Sequence, residues 1–206
     1  MMELTADHIK TWMKKADKKF QDKKEYLTEL DQAVGDGDHG VNMARGFSEV
    51  IKKIDQDYET PSDVLKDVAM TLMSKVGGAA GPLYGTAFLK LSTQVKGKDV
   101  IDFSNFVESL NAGVEGIKQR GKAESGEKTL LDVWVPLTES LKEQSDFDSQ
   151  SLKDISESLM NKTKDIKATK GRASYLGDRS IGHLDPGSVS SFYLFEALAE
   201  TIEGGQ

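Results

Sequence analysis

Leu30-Asp31-Gln32-Ala33-Val34-Gly35-Asp36-Gly37-Asp38-His39-Gly40-Val41-Asn42 places three carboxylates within eight residues, the last two separated by one glycine. Like charges at such range repel unless a cation lies between them. Carboxylate oxygens are hard ligands that suit Mg²⁺ or Ca²⁺. The glycines allow tight turns and let a bulky anion approach the backbone. One reading of the run is therefore a Mg²⁺ site that also holds a phosphate. Gly-Asp-Gly-Asp is equally good turn chemistry, and the run alone leaves both readings open. An EF-hand fails on register: with Asp36 as position 1, Val41 stands where Gly is needed and Phe47 where a bidentate Glu is needed. Counting from Asp31 puts Ala33 and Gly35 at ligand positions.

Outward from this run, apolar residues recur at helical spacing. Ile9, Trp12, Met13, Ala16 and Phe20 form one stripe, opened by Thr5 or Asp7. Phe47, Val50, Ile51 and Ile54 mark a helix within 43–58, and Val64, Leu65, Val68, Leu72, Met73 and Val76 another, with Ser62 as its cap. Phe103, Phe106, Val107, Leu110, Val114 and Ile117 follow Asp102, a capping residue. Leu152, Ile155, Leu159 and Ile166 make a further stripe, and Val189, Phe192, Phe195, Leu198 and Ile202 the last, entered through Asp185-Pro186-Gly187. Residues 83–95 and 130–142 complete about eight helices. Period-two alternation is lacking, so the expected fold is all-α without convincing strands.

The 206 residues suit a single domain spanning 1–206. There is no Cys, hence no disulfide framework, thiolate metal site or thiol nucleophile. Residues 1–20 are charged throughout, and no stretch reaches the roughly 18 apolar residues of a membrane span, so the expectation is a cytoplasmic protein. A net charge of −7 disfavours non-specific binding to nucleic acid or anionic membranes. It still permits one anionic ligand where a metal supplies local positive charge.

Three more loops carry unusual composition. Gly77-Gly78-Ala79-Ala80-Gly81-Pro82-Leu83-Tyr84-Gly85-Thr86 has the small residues that let an anion meet a helix start, or that a tight helix crossing needs. It is neither a P-loop nor a dinucleotide fingerprint. Arg120 to Leu130 holds three cations, two glycines and the Thr129 hydroxyl, suited to phosphate or to a solvated connection. Gly171 to Gly187 is seventeen residues without an obvious element, long for an idle connection. Its Arg172 and Arg179 suit a phosphoryl oxygen or a partner carboxylate. His8, His39 and His183 lack any triad-like companion.

Taken in order, the four loops resemble the dihydroxyacetone kinase L subunit. The resemblance rests on Asp31…Gly35-Asp36-Gly37-Asp38-His39-Gly40…Asn42, on Gly77–Thr86, on Arg120-Gly121-Lys122-Ala123 with Gly126-Glu127-Lys128-Thr129 and Asp132-Val133-Trp134, and on Gly171–Gly177 with Gly182–Gly187. It covers essentially the whole chain and implies an eight-helix antiparallel barrel. It implies that Asp31, Asp36 and Asp38 hold two Mg²⁺ ions bridging the phosphates of ADP or ATP. His39, Gly40, Val41 and Asn42 would lie along those phosphates, and Ala79, Ala80 and Gly81 would supply backbone contacts. Gly121, Thr129, Leu130, Arg172, Asp185, Pro186 and Gly187 would surround the nucleotide. Val41 departs from the family, where Thr is frequent, and so lacks a hydroxyl contact.

The resemblance further implies a phosphotransferase in which ADP stays bound as a coenzyme. A phosphohistidine subunit of the phosphotransferase system would rephosphorylate it, and dihydroxyacetone would wait on a separate substrate subunit. No side chain of this chain is then expected to be a general base, nor any residue catalytic beyond the metal and phosphate ligands. Rival readings are an L-type domain serving another acceptor such as a fatty acid, a nucleotide-binding subunit that docks a transcription regulator, and a non-catalytic divalent-cation module.

Overall fold

The computed structural model describes residues 2–204, which form nine α-helices. They are α1 (Ala6–Asp22), α2 (Lys24–Val34), α3 (His39–Lys53), α4 (Pro61–Lys75), α5 (Ala80–Gln94), α6 (Phe103–Gly121), α7 (Leu131–Lys142), α8 (Ser149–Lys162) and α9 (Pro186–Glu203). Each of α3 to α8 packs on its successor, and α1 closes the ring between α9 and α3. This is the expected antiparallel barrel of eight helices, with α2 lying outside it against α3.

The barrel is filled from all sides by apolar stripes. Trp12 meets Phe88 at 5.5 Å between ring centroids, Phe20 meets Phe47 at 4.5 Å, and Trp134 meets Phe195 at 5.0 Å. The Trp12 indole N–H donates to the Leu194 carbonyl, so α1 is tied to α9 by a bond as well as by packing. Truncating such a buried ring costs about 3–5 kcal/mol. Helix α9 is buried almost all round, which explains its broad apolar pattern.

Several sequence expectations are corrected in detail. The acidic run is only partly loop, because Asp31 lies in the last turn of α2. That helix was not expected: it buries only Leu27 and Val34, too thin a stripe to show periodicity. Helix α3 starts at His39 rather than Met43, and α5 at Ala80 rather than Leu83. The cap of α4 is Thr60, not Ser62, with Pro61 in the first helical position. Ile166 falls beyond α8, after a single 3-10 turn at Thr163–Asp165. Two residues on each side, β1 (Glu3–Leu4) and β2 (Ile101–Asp102), pair antiparallel beside the starts of α1 and α6, too short for any alternation to reveal. The long final connection folds into a 3-10 run, Arg172–Ser180. Ser180 holds it by accepting from the Ala168 N–H and donating to the Gly177 carbonyl.

Candidate functional site

In an antiparallel ring, alternate helices begin at the same end. The starts of α3, α5, α7 and α9 converge on one cavity of about 450 Å³. Its walls include Asp31, Asp36, Asp38, His39 and Asn42, then Ala79 and Ala80, then Thr129 and Leu130, then Arg172, and lastly Asp185, Pro186 and Gly187. Residues scattered over more than 150 positions thus meet in one place, with all four singled-out loops represented.

The helix ends facing this cavity are unusual. Helices α3, α5 and α7 begin at Asp38, Ala79 and Leu130, none of which caps its helix with its own side chain; the first N–H of α3 donates to Asp31 and that of α7 to the Thr129 hydroxyl. A helix start carries unsatisfied donors and about half a positive charge, which together make an anion site. Gly78, at φ +65°, turns the chain into α5 where a side chain would be strained.

Opposite these donors stand the acids. Asp31, Asp36 and Asp38 can bring one oxygen each within 4.8 Å of the others. Asp31 Oδ2 accepts the N–H groups of Asp38 (2.9 Å) and His39 (3.1 Å), which fixes the turn and aims the carboxylates together. Among the described residues a single cation, Arg172, touches the group, at 2.9 Å from Asp36 Oδ2. One exposed guanidinium does not neutralise three carboxylates. Hard oxygen donors at this spacing fit Mg²⁺.

Beneath the loops lies a buried layer that holds them. Lys128 is buried, takes a left-handed backbone (φ +61°), and donates from Nζ to the carbonyls of Thr163 (2.8 Å) and Ile166 (3.0 Å). Burial pushes its ammonium below its ordinary pKa, against the pull of Asp185 and Asp132. Asp132 accepts the N–H groups of Gly126 and Thr129 and so shapes the turn before α7. Asp185 caps α9 by accepting from the Ser188 N–H at 2.7 Å. Burial raises its carboxyl to about 7, and neighbouring Asp132 adds to the rise. His39 is pushed down by burial, although Asp31 and Asp38 pull the other way. Its Nε2 lies 2.9 Å from Ser190 Oγ.

Four of the expected residues sit off this cavity. Gly121 lines an adjoining, largely apolar cavity of about 440 Å³ that shares Ala79, Leu83, Thr129 and Leu130 with the first. Gly40 and Gly81 face packing contacts instead: a side chain would strike the Lys24 carbonyl at Gly40 and the Val76 carbonyl at Gly81. Val41 points outward and is half exposed. Tyr84 and Lys128, which lie in the singled-out loops but carried no assigned role in the site, also line the cavity, as does Lys170, which lies outside those loops.

The family model described as the DAK2 domain matches residues 33–200. The chain is 49% identical over 97% of its length, and 98% of the relative's, to the PEP-dependent dihydroxyacetone kinase 1, ADP-binding subunit DhaL, of Listeria innocua. It is 50% identical to the PTS-dependent dihydroxyacetone kinase, ADP-binding subunit DhaL, of Lactococcus lactis, covering 97% of this chain and 99% of that one. Among solved structures it resembles the dihydroxyacetone kinase from C. freundii in complex with AMP-PNP and Mg²⁺, with a TM-score of 0.73 and 24% identity. That match takes in 95% of this chain but only 33% of the other, and it concerns the fold.

Proposed function

The chain belongs to the DAK2 domain family, and on that premise we propose that it is the ADP-binding subunit of a phosphotransferase-system-dependent dihydroxyacetone kinase. The carrying observation is the opposition of three carboxylates to three uncapped helix starts across one cavity. A Mg²⁺–nucleotide pair is the ligand such a cavity suits, since acids need a cation and open helix starts need an anion.

Phosphoryl transfer depends mainly on alignment and charge neutralisation. Asp31, Asp36 and Asp38 would hold two Mg²⁺ ions, which supply the neutralising charge. The starts of α3 and α5 would orient the phosphates, with His39, Asn42, Ala79 and Ala80 beside them. The guanidinium of Arg172 is within reach of the same space and suits a phosphoryl oxygen. Thr129, Leu130 and the apolar cavity around Gly121 suit the nucleoside end. Gly40, Val41 and Gly81 then act through backbone placement rather than side chains.

On this reading no residue of this chain is expected to act as a base for the triose hydroxyl, a role left to the substrate subunit. A phosphohistidine protein of the phosphotransferase system is the inferred donor, and the cytoplasm the inferred compartment. Among the described residues no helix is long and apolar enough to cross a membrane. The rival regulatory role, docking a transcription regulator, would use the same Mg²⁺–nucleotide site without turnover.

The test is to purify the chain without added nucleotide, denature it and identify what is released. Stoichiometric ADP with Mg²⁺ supports the coenzyme reading. An empty site that takes up ATP only transiently contradicts it, as does phosphorylation of dihydroxyacetone by the chain alone.

A further inference from the structure

Beneath the phosphate end of the cavity runs a buried chain of hydroxyls that the mechanism above does not use. Tyr84 of α5 places its phenol oxygen 2.7 Å from Ser190 Oγ, 2.8 Å from Ser191 Oγ and 3.1 Å from the Gly187 carbonyl of α9. Ser191 Oγ accepts the indole N–H of Trp134, from α7, at 2.9 Å. Ser190 Oγ contacts His39, from α3, at 2.9 Å. Tyr84, Trp134, Ser190 and Ser191 are all fully or almost fully buried.

The cluster therefore draws side chains from all four helices whose starts face the cavity, one each from α3, α5 and α7 and two from α9. Several other buried hydroxyls behave differently, though Ser188 likewise reaches across, to the Thr129 carbonyl. Ser109, Ser156, Thr138 and Thr201 each donate to a carbonyl of their own helix, and Ser62 with Ser92 joins only two neighbours at the opposite end. Four helix starts aimed at one point bring like partial charges together, which favours splaying. A hydrogen-bonded cluster in a low-dielectric interior resists that, and every member can be satisfied here: the indole donates to Ser191, and each hydroxyl can accept one bond and donate another.

We propose that Tyr84 is a positioning residue: its phenol oxygen sets the spacing of the helix starts that cradle the nucleotide phosphates. The proposal rests on the nucleotide reading above. It also makes the Gly187 carbonyl a shared acceptor, for Tyr84 and for Ser190, which fixes the turn of Asp185-Pro186-Gly187 at the cavity wall.

The experiment compares Y84F, S190A and S92A with the unaltered chain. It measures ADP affinity with Mg²⁺ and the kinetics of the reconstituted kinase complex. Y84F keeps the ring and removes only the oxygen; S190A severs the His39 link should Y84F fold poorly. S92A removes an equally buried hydroxyl far from the cavity. Y84F is expected to weaken ADP binding about tenfold and S190A about fivefold, the scale of one or two buried hydrogen bonds. Both should lower kcat while leaving the KM for dihydroxyacetone unchanged, because that substrate sits on another subunit. S92A should lower the melting temperature without changing ADP affinity. Unchanged affinity and kcat in Y84F and S190A overturn the proposal and leave the nucleotide reading standing. Equal weakening by S92A also overturns it, since the effect would then follow stability alone. Failure of the unaltered chain to bind ADP overturns the nucleotide reading and the proposal with it.

Discussion

At one end of the barrel, the starts of α1, α4, α6 and α8 are each closed by a side chain: Thr5, Thr60, Asp102 and Asp148 accept the N–H of the residue three places on. At the other end, α3, α5 and α7 begin with no such bond. The backbone problem is identical at both ends, and cap side chains solve it at only one. At α7 the Thr129 hydroxyl and nearby carbonyls take up the first N–H groups and at α3 Asp31 takes the first, whereas the start of α5 faces the acid-lined cavity uncapped and suits a ligand. Helix α9 is the exception among the converging starts, because Asp185 caps it from a buried position.

The sharpest way to break this comparison is at the acids. D36A should abolish Mg²⁺-dependent ADP retention, with affinity falling at least about a hundredfold, the weight of one lost charge–metal contact. Helix content by circular dichroism should stay unchanged, since Asp36 lies in the loop between α2 and α3, reachable by solvent, and caps no helix. Tight ADP binding by this variant would remove the carboxylates from the account.

Closing an open start should come next. A79D places a carboxylate at the head of α5, where it competes for the free N–H groups and repels phosphate. An ADP affinity loss of about tenfold is expected by titration calorimetry. Opening a closed start should do the reverse. T60A should cost about 1 kcal/mol of unfolding free energy in urea and leave ADP affinity untouched.

The remaining test concerns the exception and reads stability rather than binding. Asp185 has a carboxyl raised to about 7 by burial, so the folded chain binds its proton more tightly than the unfolded chain does. Its contribution to stability is therefore full below about pH 4 and declines as pH rises toward 7. Melting temperatures of the nucleotide-free chain across pH 4–8 should show this decline, and D185N should flatten it. An unchanged slope in D185N would mean that Asp185 is not protonated in the folded state.

The eight ring helices were legible because each has one broad apolar stripe, and the caps Thr5, Asp102 and Asp185 announced three of their starts. Helix α2 was not, because only Leu27 and Val34 of its eleven residues are buried and the acidic run overlies its last turn. The 3-10 run of residues 172–180 was hidden for a similar reason: it is held by Ser180 and small residues rather than by an apolar pattern. At the site, the loops rich in Gly and Asp were conspicuous by composition. The supports beneath them were not. Tyr84, Lys128 and Ser190 act through burial and through partners from distant helices, and no local pattern records which helix starts will meet.

On the nucleotide reading the open end of the barrel holds a nucleoside diphosphate through a divalent cation. This is tested most directly by calorimetric titration of ADP into the stripped chain, with Mg²⁺ and again with a chelator. The account predicts one ADP per chain, bound tightly with Mg²⁺ and at least about a hundredfold more weakly without it. Equal affinity in the chelator, or no binding in the presence of Mg²⁺, would contradict it.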